Sequence, residues 1–129
     1  MKVMLDNFAY MPTRAHYNDA GLDLYSPVSL WLHPGQHEMI DTGVHVAIPD
    51  GYVGLITSKS GLMGKGITSR GTIDASYRGS IKAVLYNHGE EGYQITQLVI
   101  VPYLCPAIEY VDELDETDRN DGGFGSTGR

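Results

Sequence analysis

Ser80-Ile-Lys-Ala-Val-Leu-Tyr-Asn87 puts Ile81, Ala83, Leu85 and Asn87 on one side of an extended chain, because successive strand side chains point to opposite faces. Its other side is also partly apolar, through Val84 and Tyr86. The stretch predicts a strand covered on both faces, as in a barrel or sandwich. The same β-branched and aromatic enrichment recurs in Lys2–Leu5, Leu22–Tyr25, Val28–Leu32, His37–Asp41, His45–Ile48, Tyr52–Thr57, Gln97–Tyr103 and Ile108–Val111. Between these segments stand His33-Pro-Gly-Gln36, Pro49-Asp-Gly51 and His88-Gly-Glu-Glu-Gly92, where Pro fixes φ and Gly supplies the positive φ of tight turns. No ten-residue window carries an apolar period of 3.6. The fold class is therefore all-β.

A chain of 129 residues fits one domain with a sizeable core, with one site rather than a relay of modules. No apolar run reaches a membrane span, and Met1-Lys-Val-Met-Leu-Asp6 has neither the apolar core nor the cleavage site of a signal peptide. These features predict a soluble, intracellular, cytoplasmic protein with no membrane partner. The single cysteine, Cys105, sits in an apolar run and reads as a packed thiol. A net charge of −7 argues against a sequence-independent nucleic-acid binder, since duplex affinity comes mostly from Lys and Arg on phosphates. Much of the acid lies between Asp112 and Asp121, a run that reads as a solvated tether. His16, His33, His37, His45 and His88 show no ligand spacing, so no direct zinc site is expected.

Several short segments carry chemistry. Ser58-Lys-Ser-Gly61 offers an ammonium, hydroxyls and a close backbone approach suited to a phosphate; an ordinary polar turn has the same composition, and the Gly-x-x-x-x-Gly-Lys-Ser/Thr pattern is absent. Gly71-Thr-Ile-Asp-Ala-Ser-Tyr-Arg-Gly79 places Asp74 at a strand–turn junction, where it is either a turn residue or a carboxylate that polarises a water for attack on phosphorus. Asp23 lies within an otherwise apolar strand and Gln97 opens the run Leu98-Val-Ile-Val101; each must find polar partners or solvent. Asp118–Arg129 ends Gly122-Gly-Phe-Gly-Ser-Thr-Gly-Arg129. Such a segment cannot bury a core, so mobility without ligand is expected, and packing leaves Phe124 unexplained.

In chain order these segments resemble the five motifs of the trimeric dUTPase family, over nearly the whole chain. Ala20-Gly-Leu-Asp-Leu-Tyr-Ser26 is similar to the first, Ser58-Lys-Ser-Gly-Leu62 to the second and Gly71–Gly79 to the third. Ile95-Thr-Gln-Leu98 is similar to the fourth, and Arg119 with Gly122–Gly128 to the fifth. The resemblance implies a jelly-roll-like distorted β-barrel over residues 1–111, a flexible arm over 112–129, and a homotrimer with active sites shared between subunits. It implies Mg²⁺-dependent hydrolysis of dUTP to dUMP and pyrophosphate, which keeps uracil out of DNA and supplies dUMP for dTMP synthesis. By resemblance, Asp74 orients the attacking water and binds the 3′-hydroxyl, and Tyr77 packs on the deoxyribose. Gly71, Thr72, Ile73 and Asp74, closed by the strand near Lys82, read the uracil edge. Lys59, Ser60 and Gly61 hold phosphates. Asp23 and Gln97 bind waters of a Mg²⁺ held by the triphosphate, with no direct protein ligand. Phe124 stacks over uracil, while Arg119, Gly125, Ser126 and Thr127 close on the phosphates.

This chain departs from the family pattern at four positions. Lys59 stands where Arg is usual, which keeps the charge and loses the bidentate fork. Ser76 replaces an acidic residue, Gln94 an Arg and Asn120 a Gly, and the turn before the fourth motif is shortened. Two rival functions share the fold: a dCTP deaminase, whose glutamate-bearing strand has no match here, and a dUTP-binding regulator that acts on a protein partner.

Overall fold

The computed structural model describes residues 1–89, 109–123 and 125, and the backbone of 95–102. Its strands are β1 (Lys2–Leu5), β2 (Gly21–Tyr25), β3 (His37–Asp41), β4 (Val44–Ala47), β5 (Tyr52–Ser58), β6 (Ile67–Ile73), β7 (Lys82–Asn87) and β8 (Ile95–Pro102), with one helical turn, α1 (Ser60–Met63). β1 pairs with β4, and the other strands form a six-stranded sheet in the order β2-β8-β5-β6-β7-β3, all pairs antiparallel. The fold is the all-β, jelly-roll-like architecture expected.

β6 makes the corner of this architecture. Its first half, Ile67–Ser69, pairs with β7, and its second half, Arg70–Ile73, pairs with β5. At the change of partner the Ser69 amide donates to Ser58 Oγ. Among the described residues, the core consists of two apolar clusters. Leu24, Val44, Val46, Ile48, Ile56, Ile73, Ala75 and Ile81 form one; Leu32, Ile40, Leu62, Ile67 and Leu85 form the other.

Several expectations need correction. Val28–Leu32 is not a strand: Pro27 and Pro34 bracket it, the Ser26 hydroxyl turns the chain at Val28, and the Leu32 carbonyl accepts from buried Asn87 rather than from a ladder. Residues 109–111 form no strand; Tyr103 and Ile108 lie outside the described residues. The strand expected at His45–Ile48 runs Val44–Ala47. β6 was not anticipated because Ser69, Arg70 and Gly71 interrupt its apolar pattern. β7 buries the face of Ala83, Leu85 and Asn87; on its other face, among the described residues, Lys82 and Tyr86 are exposed and Val84 is half-buried. Two of the three expected turns fall in place: Gly35 (φ 81°) and Gly51 (φ 83°) take the left-handed conformation, closed by Gln36 N–H to His33 O and Tyr52 N–H to Pro49 O; the third, residues 88–92, lies partly outside the described residues.

Candidate active site

Asp74 follows β6 directly. Its neighbours Ile73 and Ala75 are buried in the first apolar cluster, so the alternation of an extended chain turns the aspartate outward, where it is exposed. The Tyr77 amide donates to the Asp74 carbonyl at 3.0 Å, closing the turn. The Tyr77 hydroxyl donates to the Ser80 carbonyl at 2.8 Å, which lays the phenol over Gly79; a Cβ there would stand 2.4 Å from the hydroxyl oxygen. A side chain at position 79 would push the phenol aside. Thr72, Ile73, Asp74, Tyr77 and Lys82 line one cleft of about 210 Å³. Gly71 pairs with Ile56 at the base of the same hairpin.

A second constellation forms around Asp23. Asp23 is the register partner of Gln97 on β8, and Gln97 is in turn opposite Thr57 on β5, two residues before Lys59. Lys59 Nζ lies 2.6 Å from Asp23 Oδ2, with side-chain exposures of 35% and 13%. Ser60 and Gly61 follow at once and open α1, where the first amides of a helical turn have no intrahelical acceptor. Among the described residues, no three His, Cys, Asp or Glu side chains converge. A single carboxylate already paired with an ammonium, beside the backbone position of Gln97, fits contacts to metal-bound water rather than direct ligation.

The two constellations do not meet. Gly54 is opposite Ile73 and Thr57 opposite Arg70, so Asp74 and Lys59 lie beyond opposite ends of the β5–β6 ladder. At about 3.3 Å per residue they stand roughly 15–20 Å apart along the strands.

The arm residues Asp112–Asp121 are all exposed. Arg119 Nε donates to the Gly122 carbonyl at 2.6 Å. Asn120 has φ 44°, and its side chain and amide bond reciprocally to Thr117. That explains an asparagine where glycine is usual, since Asn tolerates the left-handed region better than other L-residues. Gly125 has φ 83°. Phe124, Ser126 and Thr127 lie outside the described residues.

Sequence reasoning passed over the polar groups that brace the hairpin. Asp41 is opposite Lys82 and accepts from the Gly43 amide at 3.0 Å; that bond first, then one from the Ser80 hydroxyl, lowers its pKa below 3.8, with Lys82 and His45 adding to the effect. The His45 ring meets the Arg78 carbonyl and the Asp6 carboxylate. The available signal was an acid and a histidine flanking the glycine turn Asp41-Thr-Gly43, which reads as turn chemistry alone.

A dUTPase family model matches residues 7–128. The chain belongs to the dUTPase family. It is 43% identical to the deoxyuridine 5′-triphosphate nucleotidohydrolase of Clostridium tetani, covering 98% of this chain and 94% of that protein, and 43% identical to that of Cutibacterium acnes, covering 92% and 85%. Among solved structures, the dUTPase of Staphylococcus bacteriophage 80alpha with dUPNHPP superposes with a TM-score of 0.89 at 33% identity, over 99% of this chain and 98% of that one. A variant dUTPase from phage phi11 of S. aureus, whose structure concerns coordination of a structural Mg(II) ion, superposes with a TM-score of 0.78 at 33% identity, over 87% and 96%.

Proposed function

We propose that the chain is a dUTP diphosphatase that releases dUMP and pyrophosphate at a site assembled between subunits. The observation that carries this reading is the cleft in which Thr72, Ile73, Asp74, Tyr77 and Lys82 come together, an outward carboxylate beside a phenol and a strand edge. Asp74 accepts a proton from the attacking water and holds the 3′-hydroxyl. Tyr77, fixed over Gly79, packs against deoxyribose and leaves no room for a 2′-hydroxyl. The backbone of Gly71–Asp74, with Lys82 across the cleft, reads the uracil edge.

Lys59, Ser60 and Gly61 hold the phosphates, and Asp23 and Gln97 hold metal-bound waters. Mg²⁺ carried by the triphosphate neutralises its charge when bound. These groups lie at the far end of the β5–β6 ladder from Asp74, a separation that favours a site to which two subunits contribute. A homotrimer, in which one subunit supplies Asp74 and the next supplies Lys59, resolves the geometry. The arm of residues 112–129 follows the barrel of residues 1–111 and closes the site, with Phe124 on uracil and Arg119, Gly125, Ser126 and Thr127 at the phosphates.

Pyrophosphate release measured with dUTP, dTTP, dCTP and dATP tests the reading: turnover of dUTP well above the rest supports it, and no release from dUTP overturns it. A second reading, regulation of a protein partner, draws support from the 80alpha structure, which concerns phage dUTPases that control transfer of virulence genes. It predicts nucleotide-dependent capture of a partner protein by the intact chain.

A further inference from the structure

The crest between Ile73 and Ile81 carries Asp74 and Tyr77, and its own bonds are internal: Tyr77 N–H to Asp74 O, Tyr77 hydroxyl to Ser80 O, and the Arg78 guanidinium back to the Ala75 and Tyr77 carbonyls at 2.6 and 2.9 Å. Below it, Ile81 N–H donates to Val44 O and Thr42 bonds to Ile81 O. Among the described residues, two side chains outside the crest reach up to it: Asp41 to Ser80 and His45 to Arg78.

His45 stands on β4, which among the described residues pairs with β1. Its Nδ1 lies 2.8 Å from the Arg78 carbonyl oxygen and its Nε2 3.2 Å from Asp6 Oδ1. A carbonyl only accepts, so Nδ1 carries a hydrogen. If Nε2 were bare, its lone pair would face a carboxylate; a ring protonated on both nitrogens satisfies both partners. Arg78 immediately precedes Gly79, on which the Tyr77 ring rests.

We propose that His45 is a positioning residue for the nucleotide hairpin: by donating from both ring nitrogens it ties the Arg78 carbonyl to Asp6 and so fixes the height of the Tyr77 ring. The inference rests on the hairpin being the deoxynucleoside site. The charged groups around the ring are Asp6 beyond β1, Asp41 at the end of β3, Lys2 on β1 and Arg78 itself. The bond to the Arg78 carbonyl, then Asp6, raises the pKa of His45 above its ordinary 6.5. A raised folded value means the doubly protonated ring is complete below pH 6.5 and loses its Nε2 hydrogen, and with it the link to Asp6, as pH rises through that folded value, while Nδ1–H stays on the Arg78 carbonyl.

The test is steady-state pyrophosphate release from dUTP between about pH 5.5 and 9, for the unsubstituted protein, His45→Gln and His45→Ala. Loss of one hydrogen-bonded tie corresponds to roughly a threefold to tenfold change in affinity. KM of the unsubstituted protein should rise by about that factor through the titration, with kcat changing by less than about twofold. His45→Gln retains a donor that does not titrate, so its KM should be flat across the range; His45→Ala should show the raised KM at every pH. Ring ¹⁵N shifts should report two protonated nitrogens on His45 at the acid end. An identical KM profile in the unsubstituted protein and His45→Gln would overturn the proposal whether or not His45→Ala folds. Absence of dUTP turnover in the unsubstituted protein would overturn the hairpin assignment and this inference together.

Discussion

Asp74 owes its position to its neighbours: Ile73 and Ala75, each 8% exposed, are drawn into the core and leave the carboxylate outside. Asp74→Asn preserves that shape and removes the base. It should retain affinity for a non-hydrolysable dUTP analogue while kcat falls by about two orders of magnitude, the usual scale for general-base removal; calorimetry and steady-state kinetics check the two halves. Asp41 supports the opposite leg of the hairpin. Its pKa is lowered, chiefly by the Gly43 amide, so its contribution to stability is present above pH 3.8 and is lost as pH falls through the lowered folded value. Thermal melts should place Asp41→Asn below the unsubstituted protein near neutral pH, and the gap should close in strong acid. Equal melting at neutral pH would remove the bracing role.

At the scale of elements, the hairpin is anchored through Ile81, which is fully buried and bonded through its backbone to Val44 and Thr42. Ile81→Ala leaves a cavity under both legs and should cost about 2–5 kcal/mol in denaturant unfolding. Residues 112–121 are exposed and contribute no core, so the proposed arm should behave oppositely. Truncation after Asp118 should leave the melting temperature nearly unchanged and cut kcat/KM for dUTP severely; Phe124→Ala removes a stacked ring worth about 1–3 kcal/mol in other base-binding proteins. Hydrogen exchange should be fast in the free arm and slowed by Mg²⁺ with the dUTP analogue, and equal exchange in both states would refute a closing arm. These elements were unequally legible in the chain. β-Branched and aromatic enrichment in Leu22–Tyr25, His37–Asp41 and Tyr52–Thr57 marked segments that do form strands, anchored by the buried Leu24, Ile40 and Ile56. Val28–Leu32 carries the same residue types but loses its ladder to the flanking prolines and the Asn87 side chain. β6 is the converse: its pairing with β5 and β7 overrides a polar local sequence. Asp74, Tyr77 and Lys82 were readable together because they cluster within one hairpin. The Asp23–Lys59 pair was not, since it joins positions 36 residues apart.

On the scale of the whole molecule, the proposal of a shared site rests on the separation of its two constellations. One chain carries the outward Asp74 cleft and, beyond the far end of β5–β6, the Asp23–Lys59 pair. The exposed face of β7, with Lys82 and Tyr86, is compatible with association. Subunits bearing Asp74→Asn and subunits bearing Lys59→Ala should each be nearly inactive alone, because every site lacks one half. After mixing by mild denaturation and refolding, with mixed trimers verified by native mass spectrometry, each mixed trimer contains one site with both halves intact, so random assortment should return about a quarter of the unsubstituted rate of pyrophosphate release from dUTP. Recovery near that level is the expected result; mixed trimers with no more activity than the separate variants would contradict a site shared between subunits.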